Sequence, residues 1–205
     1  MTTNTSRIRI LTAARGLFFK HGFEKVSTDM LVKEAAVSKA TLYRNFANMN
    51  DVLKSVAETE VMLFTAGTPP QIRTLCDLQT ALREFGISLL GFLNQPDTVQ
   101  FARLIHEEAR DNPEVGRLFY HAAHAKTLES ISQIFWHAQE KRLVSDGADA
   151  SDIAEDFLAL LEGLGIIRVQ LGVCCFPCDD IEKRVTRAVS TILAAHACGG
   201  AAHQD

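Results

Sequence analysis

The chain has 205 residues, of which 47% are hydrophobic, 22% charged and 7% aromatic, which excludes disordered, collagen-like and coiled-coil compositions and allows a sizeable core. The formal net charge of −4 is unevenly placed: residues 1–50 carry +5 and the remaining 155 carry −9, so a polyanion would meet attraction at one end only. No apolar run approaches the roughly 20 residues that span a bilayer. The polar start Met1-Thr2-Thr3-Asn4-Thr5-Ser6 carries no secretory signal, and five cysteines without such a signal read as free thiols in a reducing compartment. The expected protein is soluble and cytoplasmic, with no membrane partner.

Helical spacing runs throughout, and no alternating β-branched segment with a hairpin turn appears. A first helix is predicted from Arg7 to His21, ended by Gly22. A short second helix starts at Ser27 or Thr28 and runs to Ala36; a third follows Ser38 and reaches Phe46. A fourth covers Asn50 to Thr65 and stops before the breaker Gly67-Thr68-Pro69-Pro70, where, or within the fourth helix, a hinge between head and body is expected. Longer helices follow over Leu75 to Leu93, Asp97 to Arg110, Glu114 to Leu143 with a break near its start, Asp152 to Leu171 capped by Ser151, and Asp179 to His196. The predicted fold is all-α, with about nine helices: a head over 1–50, a body over 51–198 and a disordered tail over 199–205.

Two helices this short need each other and the first helix for stability. Leu31, Val32, Ala35, Val37, Leu42 and Phe46 supply the inward side, which leaves Lys39, Ala40, Thr41, Tyr43, Arg44 and Asn45 on the other face of the third helix. That polar, basic set suits the second helix of a helix-turn-helix, which enters the major groove of double-stranded DNA. An ordinary three-helix subdomain, or a solvated basic face, would show the same spacing. The stretch from Phe18 to Leu53 narrows the choice, through Phe18-x-x-x-Gly22-Phe23, Ser27-Thr28 and Ala35-x-Val37-Ser38-Lys39-x-Thr41-Leu42-Tyr43-x-x-Phe46.

This stretch resembles the DNA-binding domain of the TetR family of regulators. The body is similar, more weakly, to the AefR-like C-terminal domain through Ile105-His106-Glu107-Glu108-Ala109-Arg110-x-x-Pro113-Glu114 and the segment from Phe157 to Arg168. The resemblance implies that Thr28, Tyr43 and Asn45 hold phosphates, with Ser27 beside them in the DNA-binding set. It puts Ser38, Lys39, Thr41 and Arg44 at bases or nearby backbone, with Ala40 allowing close approach. It also implies a ligand-sensing body, a dimer through the last two helices, and repression of a palindromic operator that a small-molecule effector relieves. Asn45 stands where many members have histidine, and three further residues depart from the family pattern: Ala36 stands for the usual turn glycine, Val32 for an alanine, and Met49 for a lysine that reaches phosphate.

The apolar helix from Phe157 to Ile167 and the amphipathic last helix are the expected homodimer surface, through Leu161, Leu164, Ile167, Ile181, Val185, Val189 and Ile192. Gly163 and Gly165 would let helices approach closely. Phe85, Phe92, Phe101, Leu104, Phe119, Phe135, Trp136 and Phe157 are candidates to line an apolar cavity, although such residues at helical spacing are more often plain core. His106, Glu107, Arg110 and Glu162 are candidates to orient a polar ligand group. Cys174, Cys175 and Cys178 leave a thiol- or metal-responsive regulator open, against a loop that uses small buried residues; no second ligand pair completes a zinc set. Neither a phosphate-binding Gly loop, a His-Glu-x-x-His helix nor a Gly-x-Ser-x-Gly elbow is present, so no enzyme, cofactor or metal is expected. A helical adaptor that binds no DNA is the remaining alternative.

Overall fold

The computed structural model describes residues 2–65 and 71–198, whose regular elements are helices, with one isolated β-bridge between Val144 and Ala197. The predicted breaker at Gly67-Pro70 and the tail 199–205 lie outside the described residues. Compactness divides the chain into Met1–Leu63 with Gln95–Lys126, and Phe64–Asn94 with Thr127–Asp205. The expected division at residue 50 therefore does not follow compactness, because the fourth helix and the segment after Gln95 pack with the head.

In the first unit, α1 (Thr2–His21) buries Ile10, Ala14 and Phe18, one residue per turn along a single stripe. It ends at Gly22, whose φ of 82° and amide bond to the Phe18 carbonyl (2.9 Å) turn the chain away. α2 (Thr28–Glu34) and α3 (Lys39–Asn45) follow, then α4 (Met49–Thr65). Asn48 and Asp51 close the start of α4: the Asp51 amide donates to Asn48 Oδ1 (2.9 Å) and the Ala47 amide to Asp51 Oδ2 (3.1 Å). α1 and α4 are tied by Arg15, which donates to both oxygens of the buried Glu60 carboxylate (2.8 and 3.2 Å) and lies over the Phe19 ring. α6 (Pro96–Asp111) docks on α1 through Phe101, stacked on Phe19 with ring centroids 4.2 Å apart. α7 (Pro113–Phe119) and a π-turn (Tyr120–His124) complete the unit.

The second unit holds α5 (Leu75–Leu93), α8 (Ala125–Glu140) from Thr127 on, α9 (Ala150–Glu162), α10 (Gly165–Gln170) and α11 (Ile181–His196). Thr74 and Asp77 form a capping box that starts α5 where the sequence predicts it. α5 crosses α9 and α11 closely at Gly86, where an added β-carbon would stand 3.1 Å from Leu161 and Val185. The predicted helix from Asp152 to Leu171 is two helices. Asp149, not Ser151, caps α9 by accepting from the Ser151 amide (2.8 Å). Gly163 (φ 52°) then ends it, and Arg184 donates to the freed Leu161 carbonyl (3.3 Å). Gly165 is buried against the Pro177 backbone, so these two glycines break a helix and admit a loop. The run predicted from Glu114 to Leu143 is likewise interrupted by the π-turn and stops at Glu140, because Arg142 adopts φ 56° and Leu143 bonds back to the Ala138 carbonyl (2.9 Å).

Candidate nucleic-acid interface

α2 and α3 are seven residues each, and each is started by a serine hydroxyl. Ser27 accepts from the Met30 amide (3.2 Å) and Ser38 from the Thr41 amide (3.1 Å). Ser38 Oγ also lies 3.0 Å from Thr41 Oγ1. These hydroxyls therefore build the motif as well as lying on its surface. The turn between the helices places Ala36 at φ 49°, so the position does require the left-handed region for which glycine is the ordinary choice. Arg9 steadies it by donating to the Ala36 carbonyl (2.7 Å).

α3 sorts its side chains by face. Leu42 and the following Phe46 are each 2% exposed, and they pin the helix to the first unit's core with Leu31 and Ala35. Lys39, Ala40, Tyr43 and Arg44 are exposed, while Thr28, Thr41 and Asn45 are half-buried. The Tyr43 side chain is 57% exposed. Asn45 spends its amide on the Thr41 carbonyl (2.7 Å), within its own helix. The nine predicted residues thus lie on one motif, with Asn45 the least available of them.

The basic balance of the head is smaller at this face than the count suggests. Arg7 donates to the Asn45 carbonyl (3.2 Å) and to Ser55 Oγ (3.0 Å), and lies 4.4 Å from the Phe46 ring centroid. It braces the end of α3 against α1 and α4. Arg9 and Arg15 are committed as described, and Lys39 Nζ pairs with Asp29 at 2.7 Å. That hydrogen bond first, and the Asp29 charge second, raise the Lys39 ammonium above its ordinary value. Arg44 stays exposed. Met49 is half-buried and packs on the core of the unit, so it presents no cation where the family pattern has one.

On the same unit, α6 grips the loop after α1. Glu108 Oε1 accepts from the Glu24 amide (3.1 Å), Asn112 Nδ2 donates to Glu24 Oε1 (2.9 Å), and Glu108 Oε2 is buried without a hydrogen-bond partner. Desolvation, outweighing the backbone donors, pushes the Glu108 carboxyl up. A β-carbon at Gly22 would stand 2.6 Å from Glu108 Oε1, a second reason for glycine there. A cleft of about 720 Å³ adjoins this clasp, lined by His21, Glu24, Lys25, Leu104, Glu107 and Glu108 among others. No local sequence signal marks Glu108 over its neighbour Glu107, because the distinction depends on which side of α6 meets the loop.

The remaining predicted residues separate. Leu161, Val185, Val189 and Ile192 are 0 to 3% exposed within their own chain. They are core residues, and the dimer expectation is corrected there: α9 and α11 spend those stripes on α5. Ile181 packs at the edge of that core, whereas Leu164 (64%) and Ile167 (45%) remain exposed. Among the cavity candidates, Phe135 and Phe157 meet edge-on in the core of the second unit at 0% exposure, and Phe101 is 3% exposed in the first. Closed packing leaves these three no free surface for a ligand. Trp136 is 51% exposed and lines no interior. Phe85 and Phe92 on α5, and Leu104 and Phe119 in the first unit, are half-buried. His106, Glu107 and Arg110 lie at the surface, while Glu162 is half-buried and its carboxyl is raised by desolvation. The five cysteines are free thiols. Cys178 is buried and its backbone is held by both amide atoms of Asn94 (2.6 and 3.1 Å), a loop-packing role. Among the described residues, no three His, Cys, Asp or Glu side chains are placed to hold a metal ion, and no helix is long and apolar enough to cross a membrane.

Comparison with known proteins agrees with this geometry. Residues 10–56 match the bacterial regulatory proteins of the tetR family, and residues 80–198 match the C-terminal domain of AefR-like transcriptional repressors. The HTH-type transcriptional repressor ComR of Escherichia coli K12 is 22% identical over 161 residues, covering 76% of each chain. The flavonoid-responsive regulator FrrA is 28% identical with a TM-score of 0.73, over 94% of this chain and 97% of that one. A TetR transcriptional regulator from Agrobacterium tumefaciens shares the fold at a TM-score of 0.78 and 20% identity, over 94% and 95% of the two chains.

Proposed function

Because the chain belongs to the tetR family of bacterial transcriptional regulators, we propose that it represses transcription as a homodimer bound to a palindromic duplex operator, and that a small apolar or amphipathic ligand in the body releases it. The observation that carries the reading is the face of α3: Leu42 and Phe46 are buried, while Lys39, Ala40, Tyr43 and Arg44 are left outward with no role in the core. A helix so held enters the major groove with its first residues at base edges. Tyr43 and Arg44 supply donors for phosphate and for guanine acceptors.

Two recognition helices on a two-fold axis read half-sites about one helical turn, roughly 34–36 Å, apart. The surface we assign to the partner copy is α10 and the loop after it, where Leu164, Ile167, Leu171, Val173 and Phe176 are all exposed. For the ligand, the half-buried Phe85 and Phe92 of α5 are the candidates in the second unit. The flavonoid-responsive relative supports an aromatic, amphipathic class of effector. A ligand releases DNA only through unequal affinity for the bound and free arrangements.

The test is selection of the purified protein against random duplex DNA at physiological salt, with the bound pool sequenced. An enriched palindrome supports the reading. A featureless pool, both before and after denaturation and refolding to strip any retained ligand, overturns it and favours the adaptor.

A further inference from the structure

We propose that Asp29 is a specificity-determining residue: by pairing with the Lys39 ammonium it cancels that charge toward phosphate and leaves the other ammonium donors for base edges. The inference rests on the DNA-binding reading above. Asp29 lies in the first turn of α2 and Lys39 is the first residue of α3, so the pair bridges the two helices at 2.7 Å. Neither side chain is used by the core, since their exposures are 75% and 56%. Asp29 does not cap α2 either, because Ser27 does. A carboxylate beside the recognition helix opposes a polyanion unless its partner gives something in return.

The return follows from what each kind of DNA offers. An unpaired lysine at this face would displace about one counterion per subunit from any duplex, steepening the salt dependence by about 0.9 each. Paired with Asp29, the two charges sum to zero and that sequence-independent gain is lost. An ammonium has three donors, however, and the carboxylate uses one. The others still serve guanine O6 and N7 where the operator presents them. Asp29 thus suppresses binding to random sequence more than binding to the operator.

The experiment uses the full chain and two probes: the duplex most enriched by the wild-type protein, and the unselected random pool. Asp29→Asn, Lys39→Met and the double variant are compared over 50–200 mM salt, with thermal melting as the check on folding. Asp29→Asn is expected to steepen the random-pool salt slope by about 1.8 per dimer and to raise random-pool affinity about tenfold at the low-salt end. Operator affinity should stay within about threefold, so that discrimination falls. In the Lys39→Met background the same change should leave discrimination unaltered. An equal gain on both probes, or an equal shift without Lys39, would show a general field effect and overturn the proposal. If the wild type enriches no duplex, the DNA-binding reading fails and this inference fails with it; if it does and Asp29→Asn leaves discrimination unchanged, this inference alone fails.

Discussion

Ala36 sits in the turn of the motif with φ 49°, where a β-carbon costs about 1 kcal/mol and glycine costs little. Ala36→Gly is therefore expected to stabilise the protein by about 0.5 kcal/mol after the larger unfolded-state entropy of glycine is allowed for. The urea midpoint should rise with an unchanged slope; a lower midpoint would mean that the Arg9 bond to the Ala36 carbonyl already removes the strain. Met49 raises the opposite question, since its side chain packs on the core beside the start of α4. Met49→Lys should steepen the salt dependence of duplex binding by about 0.9 per subunit, at a cost of about 1 kcal/mol in lost apolar burial. An unchanged slope would place residue 49 outside phosphate reach. Both residues were visible in the sequence as departures from a family pattern. The pairing of Lys39 with Asp29 and the bracing by Arg7 were not, because each depends on how separate helices meet.

Between elements, polar ties do what the short helices cannot do alone. The Glu60 carboxylate is 5% exposed and held by two bonds from Arg15, so removing the cation strands a buried charge. Arg15→Met should cost about 3 kcal/mol, and adding Glu60→Met should recover most of it. Equal losses from the single and double variants would mean the pair is mere packing. The Glu108 clasp of α6 on the loop after α1 adds a pH dependence. Its carboxyl is pushed up by desolvation, so the folded state favours the protonated form. The stability this contributes is present below the ordinary glutamate range and is lost as pH rises through the raised value. The stability difference between wild type and Glu108→Gln, followed by denaturant melts from pH 4 to 7, should therefore move against the wild type as pH rises; a flat difference would contradict the desolvation. Element boundaries were legible where capping is local: α5 begins and ends as the Thr74–Asp77 box and Asn94 dictate. They were not legible where a distant side chain decides. The break at Gly163 is completed by Arg184 of α11, and a continuous apolar pattern across Leu158 to Ile167 hides it.

Across the whole molecule, the all-helical class and the motif followed from periodicity and from one compact string of residues, but the apolar stripes gave no indication of which neighbour would cover them. Val185, Val189 and Ile192 read as well for a partner subunit as for α5, and α5 takes them. The exposed apolar face on α10 includes Leu164 and Ile167, which the sequence already offered for a partner copy. Leu164, Ile167 and Leu171 recur at intervals of three and four, the spacing of one helical face, and Val173 and Phe176 extend it into the following loop. Their exposures run from 43% to 73%, which a lone soluble helix does not gain from. On a two-fold axis the same patch meets itself, so any charge placed there is met by its own copy. Leu164→Glu with Leu171→Glu should give a monomer by sedimentation at micromolar concentration, where the wild type should give a dimer. The far-ultraviolet spectrum should be unchanged, since neither side chain belongs to the core. Operator affinity should fall by at least the tenfold that about 1.4 kcal/mol represents, because each half-site is then held alone. A variant that stays dimeric would move the interface away from α10. A wild type that sediments as a monomer while still enriching a palindrome would place dimerisation on the DNA itself.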